Sequence, residues 1–526
     1  MQKSPCIPDK NTLIGNVFAC FIMAFCILWV LWFGLSASKM QRLVPDANIY
    51  LDVGRHINKG DGFTLSLNIR QGWVGNSRNA LAYQQPFYSL ILSLLKYDDK
   101  VVSSAVILNV AFTFLTIILL FIAWRNFLPS WQASLAILPF ALSANLYDVY
   151  STPLSEPFAM LVLAASLAVF LCSDKYRTLA GFLFGLSFLA RAPNALGILG
   201  LLLVLVIEDR KNLKNFLAFF VALLLPILIF EVVGFLITGE WHPSYAKEAR
   251  TFRLTRDYGG ASYENAMPSL IFTGTITTKI FLMMVYHNVS SHLKYIISSI
   301  GWLTFFLSAI GALTAKWIEK RKEILATFMF ALASAVLFPF VFYFGTFIEA
   351  RYSLPSLAIM LPLGVLGIQS IAQRIRIGKK VEIGLISLFL VCISAIQGVK
   401  TYKLFENNRA QYLNADVQRI FFNQPIEWIK DQTKPDALVA TNYYQVPFLF
   451  NRPMVTLPIN RQLTQNNLRK FLQVHKPKTI LVDILNSQQI EWKNPIYLKI
   501  LEESGYKQVD SNERFVLYAF ETMDKK

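Results

Sequence analysis

The strongest constraint in this sequence is a series of apolar runs, each long enough to cross a lipid bilayer. An α-helix rises 1.5 Å per residue, so about 20 apolar residues span a hydrocarbon layer of roughly 30 Å. Hydrophobic residues make up 54% of the 526-residue chain, more than a soluble core needs. The sequence therefore predicts a polytopic α-helical membrane protein. The predicted crossings lie at about 13–36, 102–123, 131–146, 157–173, 215–237, 296–315, 324–345, 354–370 and 381–399.

A further apolar stretch, 178–207, is too long for one crossing and is interrupted at 191–194 by the sequence Arg-Ala-Pro-Asn. We interpret it as two short helices that meet at this break, which gives about eleven crossings. The first run, 13–36, has no small-residue cleavage site before Met40. It is therefore predicted to be a retained helix, not a secretory signal.

The distribution of basic residues predicts the orientation of these helices. Lys and Arg collect in alternate short loops, which places the N-terminus in the cytoplasm. The opposite short loops contain only Arg191 and Arg351, and such isolated cations need an explanation. The formal net charge of +17 is thus mainly a topology signal. No basic helix with interleaved aromatic residues is present, so we predict no nucleic-acid partner.

Three large pieces then lie outside the cytoplasm: residues 37–100, residues 238–294 and the segment after about 400. The last piece alternates between strand patterns at 437–440, 454–457 and 479–484 and a helical pattern at 462–474. We predict a membrane module over residues 1–400 and a small extracytoplasmic α/β domain over 401–526. The domain contains no glycine-rich phosphate loop.

Asp46 is the first candidate site residue, because it lies at the membrane edge at the head of an amphipathic segment. If residues 46–58 are helical, Asp46 shares a face with apolar side chains, while Asp52 and Arg55 lie on the other face. One interpretation of Asp46 is a helix N-cap, and another is a general base kept ionised by the positive helix end. The apolar residues of its face are Ile49, Tyr50, Val53 and Ile57.

The two isolated cations also have two interpretations each. A cation at membrane depth needs an anionic partner, so Arg191 forms either a structural ion pair or a phosphate-binding site. The same alternatives hold for Arg351, which Glu349 could neutralise from two residues away.

Asp148 and Glu156 lie on one short outer segment and are candidates for a catalytic or metal-binding role. Glu156 alternatively begins the next helix, where an acid is favoured. A divalent metal ion is a further candidate, with Asp148 and His287 as ligands, although no spacing of acids and histidines here is diagnostic of a metal site.

Taken in order, these motifs resemble the GT-C superfamily of integral membrane glycosyltransferases that use polyprenyl-phosphate sugars. This group includes the protein O-mannosyltransferase-like and aminoarabinose-transferase-like enzymes. The resemblance implies a GT-C-like membrane fold over about residues 13–400. The segments that match are 46–50, 60–63, 85–88, 155–157, 189–194 and 349–355.

The resemblance also implies roles for single residues. Asp46 is expected to act as the catalytic base, and Arg351 and Arg191 to hold the donor phosphate. Ala47 departs from the pattern, because a Glu commonly follows that Asp in both named branches, so the branch and any metal requirement stay open. The side chains expected to line the substrate site are Tyr50, Tyr83, Gln85, Tyr88 and Tyr352.

The sequence thus predicts a glycosyltransferase of the bacterial inner membrane, which moves a sugar from a polyprenyl-phosphate donor to an acceptor hydroxyl on the outer face. Membrane lipids are the other expected partners, and the oligomeric state is open. The alternatives are a transporter or lipid flippase, and a glycan polymerase or ligase that uses a lipid-diphosphate-linked donor. A non-catalytic assembly protein is more remote.

Overall fold

The computed structural model shows a mostly helical chain with one small β-sheet. It divides into two compact units. The helical unit comprises residues 1–39, 103–233 and 285–407, and the sheet unit comprises 40–102, 234–284 and 408–526. The structure describes residues 10–64, 67–68, 86–191, 193–208, 213–238, 286, 290, 294, 301–314, 321–341, 350–414, 416, 419–434, 437–441, 454–457, 465–484 and 494–520.

Helices form most of the first 412 residues. In chain order they are α1 (Lys10–Ser38), α2 (Pro45–Asn58), α3 (Pro86–Leu92), α4 (Val101–Trp124), α5 (Ser130–Ala141), α6 (Ala144–Tyr150), α7 (Glu156–Cys172), α8 (Arg177–Ala190), α9 (Asn194–Glu208), α10 (Leu213–Thr238), α11 (Trp302–Thr314), α12 (Arg321–Val341), α13 (Leu354–Arg374) and α14 (Lys379–Tyr412).

Within the described ranges, five helices are long and apolar enough to cross a membrane: α1, α4, α10, α13 and α14. The predicted break in 178–207 is present, because α8 ends at Ala190 and α9 begins at Asn194. The single crossing predicted over 131–146 is wrong in extent. There α5 ends at Ala141 and Ser143 starts α6, its hydroxyl accepting a hydrogen bond from the Leu146 amide at 3.4 Å. The number of about eleven crossings stays a prediction.

Small residues let two helices of the helical unit cross closely. A Cβ atom on Gly367 would lie 2.0 Å from the Leu307 carbonyl oxygen, and one on Gly311 would lie 2.2 Å from the Leu363 oxygen. Only glycine fits where helix backbones approach in this way, as is common in membrane helix pairs. These contacts pack α11 against α13, whose N-terminus follows Arg351.

The sheet unit is built around six strands in the order β1-β3-β2-β4-β6-β5. The first four in this order are parallel, and β6 and β5 are antiparallel additions. Apolar side chains of the sheet and its helices form the core, with Phe471, Ile480 and Leu501 fully buried. The strands are β1 (Leu67–Asn68), β2 (Val439–Thr441), β3 (Met454–Thr456), β4 (Thr479–Asp483), β5 (Tyr506–Ser511) and β6 (Phe515–Phe520), and the helices are α15 (Gln424–Gln432), α16 (Gln465–His475) and α17 (Pro495–Glu503).

The structure confirms the fold class, a polytopic helical membrane protein with a small C-terminal sheet. The three strands predicted after residue 400 correspond to β2, β3 and β4, and the predicted helix to α16. The prediction missed β1, which comes from the first long loop and pairs with β3. It also missed β6 and β5, and the residues of β5 after Tyr506 are exposed and polar enough to hide the strand pattern. The division at residue 400 stays a prediction.

Candidate active site

The helical unit brings three of the predicted site residues together in one charged cluster. The Glu156 atom Oε1 lies 2.8 Å from Arg191 Nη2 and 3.0 Å from Arg351 Nη1. The Glu156 side chain is 2% exposed, and those of Arg191 and Arg351 are 15% and 8% exposed. One buried carboxylate therefore holds two guanidinium groups beside each other. We call these three residues the Arg–Glu–Arg cluster.

The contacts of Glu156 are ion pairs and not aligned hydrogen bonds. Neither of its carboxylate oxygens has a hydrogen-bond partner in the part of the chain that the structure describes. A buried acceptor left in this state costs about 1–3 kcal/mol, and more when it is charged. Glu156 is therefore held by charge attraction, with hydrogen-bonding capacity unused.

Two neighbouring features fix the position of Glu156. It is the first residue of α7, after the N-cap Ser155, where the helix dipole favours a carboxylate. Just before it, the Asn109 side chain on α4 donates hydrogen bonds to the carbonyl oxygens of Thr152 and Leu154, at 2.9 and 3.1 Å. Asn109 is fully buried. It therefore ties the turn before α7 to a membrane helix.

Arg191 points into the cluster because the chain leaves the helix at this residue. α8 ends at Ala190, and Arg191 itself is extended, with φ −159°. Pro193 disfavours a helical conformation in the residue before it, and Asn194 donates from its side chain to the Ser187 carbonyl oxygen at 3.1 Å. The broken helix thus presents a guanidinium that a continuous helix would have kept on its own surface.

Arg351 lies in the 3-10 turn Ala350–Ser353 that leads into α13. Its neighbour Tyr352 lies against both guanidinium groups: the ring centroid is 4.6 Å from Arg191 Cζ and 5.5 Å from Arg351 Cζ. Ser353 Oγ accepts a hydrogen bond from the Asn145 side chain on α6 at 3.1 Å. The turn is therefore held between α6 and the cluster.

Asp148 lies on α6 and is half-buried. It is three residues after Asn145, so the two side chains lie on the same side of α6. This places Asp148 on the side of α6 that faces the turn of Arg351.

In the sheet unit, Asp46 lies in the first turn of α2 and is half-buried. The interpretation of Asp46 as the N-cap is wrong. Pro45 is the first helical residue, and the N-cap is therefore Val44, which has no side-chain hydrogen bond to offer. Asp46 is the acidic residue of the first turn of this helix.

The sequence predicts that Asp52 and Arg55 lie on the face of α2 opposite Asp46, and in the structure both are buried. Asp52 is 1% exposed, and its Oδ1 contacts Nη2 of the buried Arg55. His56 Nε2 lies 3.9 Å from the same oxygen, and His56 Nδ1 lies 3.0 Å from Asp61 Oδ2. Asp52 and Arg55 on the polar face of the helix are buried, so their contact with each other replaces the hydration that both charges lose.

The predicted substrate-lining tyrosines Tyr50 and Tyr88 contact each other edge to face, with ring centroids 5.1 Å apart, and both are buried. They join α2 to α3. Nearby, burial raises the pKa of the Tyr97 hydroxyl, which donates to the Leu92 carbonyl oxygen at 3.2 Å. Tyr83 and Gln85 lie outside the described residues, so their predicted role is not tested.

No group of three or more His, Cys, Asp and Glu side chains in the described residues could hold a metal ion. His287 and Glu349 lie outside those residues. The metal site predicted from Asp148 and His287 therefore stays a prediction.

A second buried Arg–Glu contact in the helical unit was not predicted. Arg177 Nη2 lies 2.7 Å from Glu323 Oε1, with side-chain exposures of 5% and 4%. The sequence places Arg177 among the basic residues of an inside loop, whereas in the structure it is the first residue of α8. Asn109 was also missed, although a lone amide in the apolar run of α4 is a recognisable signal, because polar groups at membrane depth are expensive and usually have a role.

A comparison with known protein families finds a match over residues 86–235 to the dolichyl-phosphate-mannose-protein mannosyltransferase family. The match covers α3 to α10, including Glu156 and Arg191. No protein with a curated description matches the sequence.

Solved structures with the same fold include ArnT and an archaeal oligosaccharyltransferase. ArnT from Cupriavidus metallidurans, bound to undecaprenyl phosphate, superposes with a TM-score of 0.59 at 13% identity, and the match covers 94% of this chain and 97% of ArnT. The oligosaccharyltransferase AglB from Archaeoglobus fulgidus, in complex with an inhibitory peptide and a dolichol-phosphate, gives a TM-score of 0.55 at 12% identity, covering 97% and 75%. The fold is therefore shared with these proteins. Together with the family match it confirms the predicted resemblance and indicates a membrane glycosyltransferase.

Proposed function

We propose that the chain transfers a sugar from a polyprenyl-phosphate donor to an acceptor hydroxyl. The observation that carries this proposal is the Arg–Glu–Arg cluster, in which two guanidinium groups lie side by side in a fold shared with ArnT and AglB. The solved structures of those two proteins contain undecaprenyl phosphate and a dolichol-phosphate. A phosphate bound by this chain would need cationic partners, and the two guanidinium groups could supply them.

Arg191 and Arg351 are proposed to bind the donor phosphate. Guanidinium groups bind phosphate oxygens through paired N–H donors, and such charge-assisted hydrogen bonds are the strong ones. During transfer the bond between the sugar anomeric carbon and the phosphate oxygen breaks, and the phosphate takes the electron pair. The two arginines would stabilise this developing charge, which is the largest single contribution in many enzymes.

Asp46 is proposed as the base that accepts the proton of the attacking hydroxyl. It lies in the first turn of α2 and is half-buried, and a positioned carboxylate can take up a proton from a reacting group. The oxygen of the acceptor then forms the new bond to the anomeric carbon. Tyr50, Tyr83, Gln85, Tyr88 and Tyr352 keep their proposed role as substrate-lining residues, and Asp148 stays a candidate catalytic or metal-binding residue.

The proposed location is a bacterial inner membrane, with the N-terminus in the cytoplasm and residues 401–526 outside. The support is the unequal distribution of Lys and Arg between alternate loops, and the bacterial source of the ArnT structure. The match to a mannosyltransferase family favours sugar transfer over the transporter or flippase alternative.

Replacing Asp46 by Asn tests the base directly. We expect turnover to fall by about 10²–10⁴-fold, because general base catalysis contributes roughly that factor. Purified wild-type and Asp46→Asn proteins would be incubated with a panel of undecaprenyl-phosphate-linked hexoses and pentoses and a membrane lipid extract, and release of undecaprenyl phosphate measured. Asp99→Asn is the matched control, since Asp99 is exposed. Equal release by Asp46→Asn and wild type would refute the assignment.

A further inference from the structure

The Arg–Glu–Arg cluster contains one acid that phosphate binding by itself does not call for. Two guanidinium groups alone would bind a phosphate more tightly than two whose charges are partly offset by Glu156. A purely structural carboxylate would be expected to accept hydrogen bonds from its partners. Neither oxygen of Glu156 accepts an aligned hydrogen bond in the described residues. An explanation must therefore account for a buried carboxylate that weakens the field of the two arginines.

The charges of donor and product differ in a way that gives this acid a role. A polyprenyl-phosphate sugar is a phosphodiester and carries one negative charge. When the bond between its phosphate oxygen and the sugar breaks, the lipid product is a phosphate monoester, which carries about −1.5 to −2 at pH 7. The product is thus attracted to the cations more strongly than the donor, and a site with two uncompensated arginines would retain it.

We propose that Glu156 is a positioning residue that tunes this site: it holds Arg191 and Arg351 beside each other and lowers their field, so that the phosphodiester binds and the monoester is released. The proposal rests on the proposed function, because it assumes that these arginines bind the phosphate. It concerns the preference of the site between phosphate monoester and diester. It can therefore be wrong even if Arg191 and Arg351 do bind the phosphate.

The distances make the effect large enough to measure. Glu156 Oε1 lies 2.8 Å and 3.0 Å from the guanidinium nitrogens, so a phosphate held by the same arginines lies within several ångströms of the carboxylate. At an effective dielectric constant near 20, one unit charge at that range changes affinity by at least about tenfold. Since the monoester has up to one extra charge, it would respond more than the diester.

The test uses two lipid probes, undecaprenyl phosphate and its methyl diester, and the purified full-length protein in detergent. Dissociation constants for both probes would be measured by intrinsic tryptophan fluorescence or native mass spectrometry. For Glu156→Gln we expect the diester to bind about tenfold more tightly and the monoester about 30- to 100-fold more tightly, so the preference for monoester over diester rises. For Arg191→Gln, which removes one positive charge, we expect that preference to fall below the wild-type value.

The double variant Glu156→Gln/Arg191→Gln restores the summed charge and should return the preference to near the wild-type value. It also covers the case in which Glu156→Gln alone does not fold. Glu503→Gln, at the exposed Arg469–Glu503 pair, is the control for removing a carboxylate charge and should leave the ratio unchanged. Equal changes for both probes in Glu156→Gln, or an unchanged ratio in Arg191→Gln, would overturn the inference. If Arg191→Gln and Arg351→Gln both bind both probes as wild type does, the phosphate site of the proposed function fails instead.

Discussion

The helical unit contains two buried Arg–Glu arrangements, and they differ in how many guanidinium groups share one carboxylate. Glu323 receives the buried Arg177 at 2.7 Å, with the more exposed ammonium of Lys322 at 3.8 Å. Glu156 receives two arginines within 3.0 Å, both with little exposure. In the first arrangement one guanidinium group contacts the carboxylate, whereas in the second two guanidinium groups share it. The first arrangement is typical of a structural contact and the second of an anion-binding site.

The largest effect is expected from removing the charge of Glu323, because this leaves Arg177 buried without its partner. Glu323→Gln should lower the free energy of unfolding by about 3–5 kcal/mol. Thermal unfolding in detergent would measure the loss, with Glu503→Gln as control. Glu503 pairs with Arg469 at 2.6 Å at the surface, where such pairs contribute about 0–1 kcal/mol. Equal losses in the two variants would contradict the structural interpretation of the Arg177–Glu323 contact.

Replacing one arginine in each arrangement should change turnover by very different amounts. Arg351→Gln should lower turnover by about 100- to 1,000-fold, the usual effect of losing one group that stabilises transition-state charge. Arg177→Gln should keep turnover within about threefold of wild type per folded molecule. Both would be measured by release of undecaprenyl phosphate, normalised to monodisperse protein. If Arg177→Gln lost as much activity as Arg351→Gln, the distinction between the two arrangements would be wrong.

Asn109 tests whether the position of Glu156 matters for the cluster. Asn109→Leu removes both hydrogen bonds to the turn before α7, so Glu156 shifts and turnover should fall about tenfold, since small misplacements near reacting groups are costly. Thr113→Val is the control one turn along α4, because the Thr113 hydroxyl is buried with no hydrogen-bond partner in the described residues. A tenfold loss in Thr113→Val as well would point to general disturbance of α4.

The smallest effect is expected at Tyr352, whose ring contacts both guanidinium groups. Cation–π contacts contribute about 0.5–1 kcal/mol at partly exposed sites, so Tyr352→Leu should weaken binding of undecaprenyl phosphate about two- to fivefold. Tyr352→Phe keeps the ring and should bind as wild type does. The measurement is the dissociation constant of undecaprenyl phosphate for wild type and the two variants. An equal loss of affinity in Tyr352→Phe would assign the effect to the hydroxyl group and not to the ring.

Local features of this molecule could be read from the sequence, and pairings across the chain could not. The break at Arg191 was predictable because proline and polar residues interrupt an apolar run, and β2 to β4 because short apolar segments alternate with helical ones. That Glu156 would contact both Arg191 and Arg351 was not predictable, since the three residues lie far apart in sequence and each has ordinary local explanations.

The burial of Asp52 was not predicted, for a related reason. Helical periodicity separates two faces of α2 correctly, but it does not show whether one or both faces are covered. Asp52, Leu51 and Ala47 are all buried although they point in different directions. The polar residues of a buried helix can pair with one another, as Asp52 does with Arg55. Such a helix has the same sequence pattern as a helix whose polar face is exposed to water.

The pairing of Leu67 with Met454 has a consequence for the order in which the protein is made. The two-residue strand β1 is synthesised early, but its partner β3 comes after almost all of the helices. At a translation rate of about 5–20 residues per second, β3 is synthesised roughly 20 to 80 seconds after β1. During that interval the backbone N–H and C=O groups of β1 must form hydrogen bonds with water or with a chaperone. A chain shortened before β3 would therefore leave the loop after α2 without the hydrogen bonds that fasten it to the sheet.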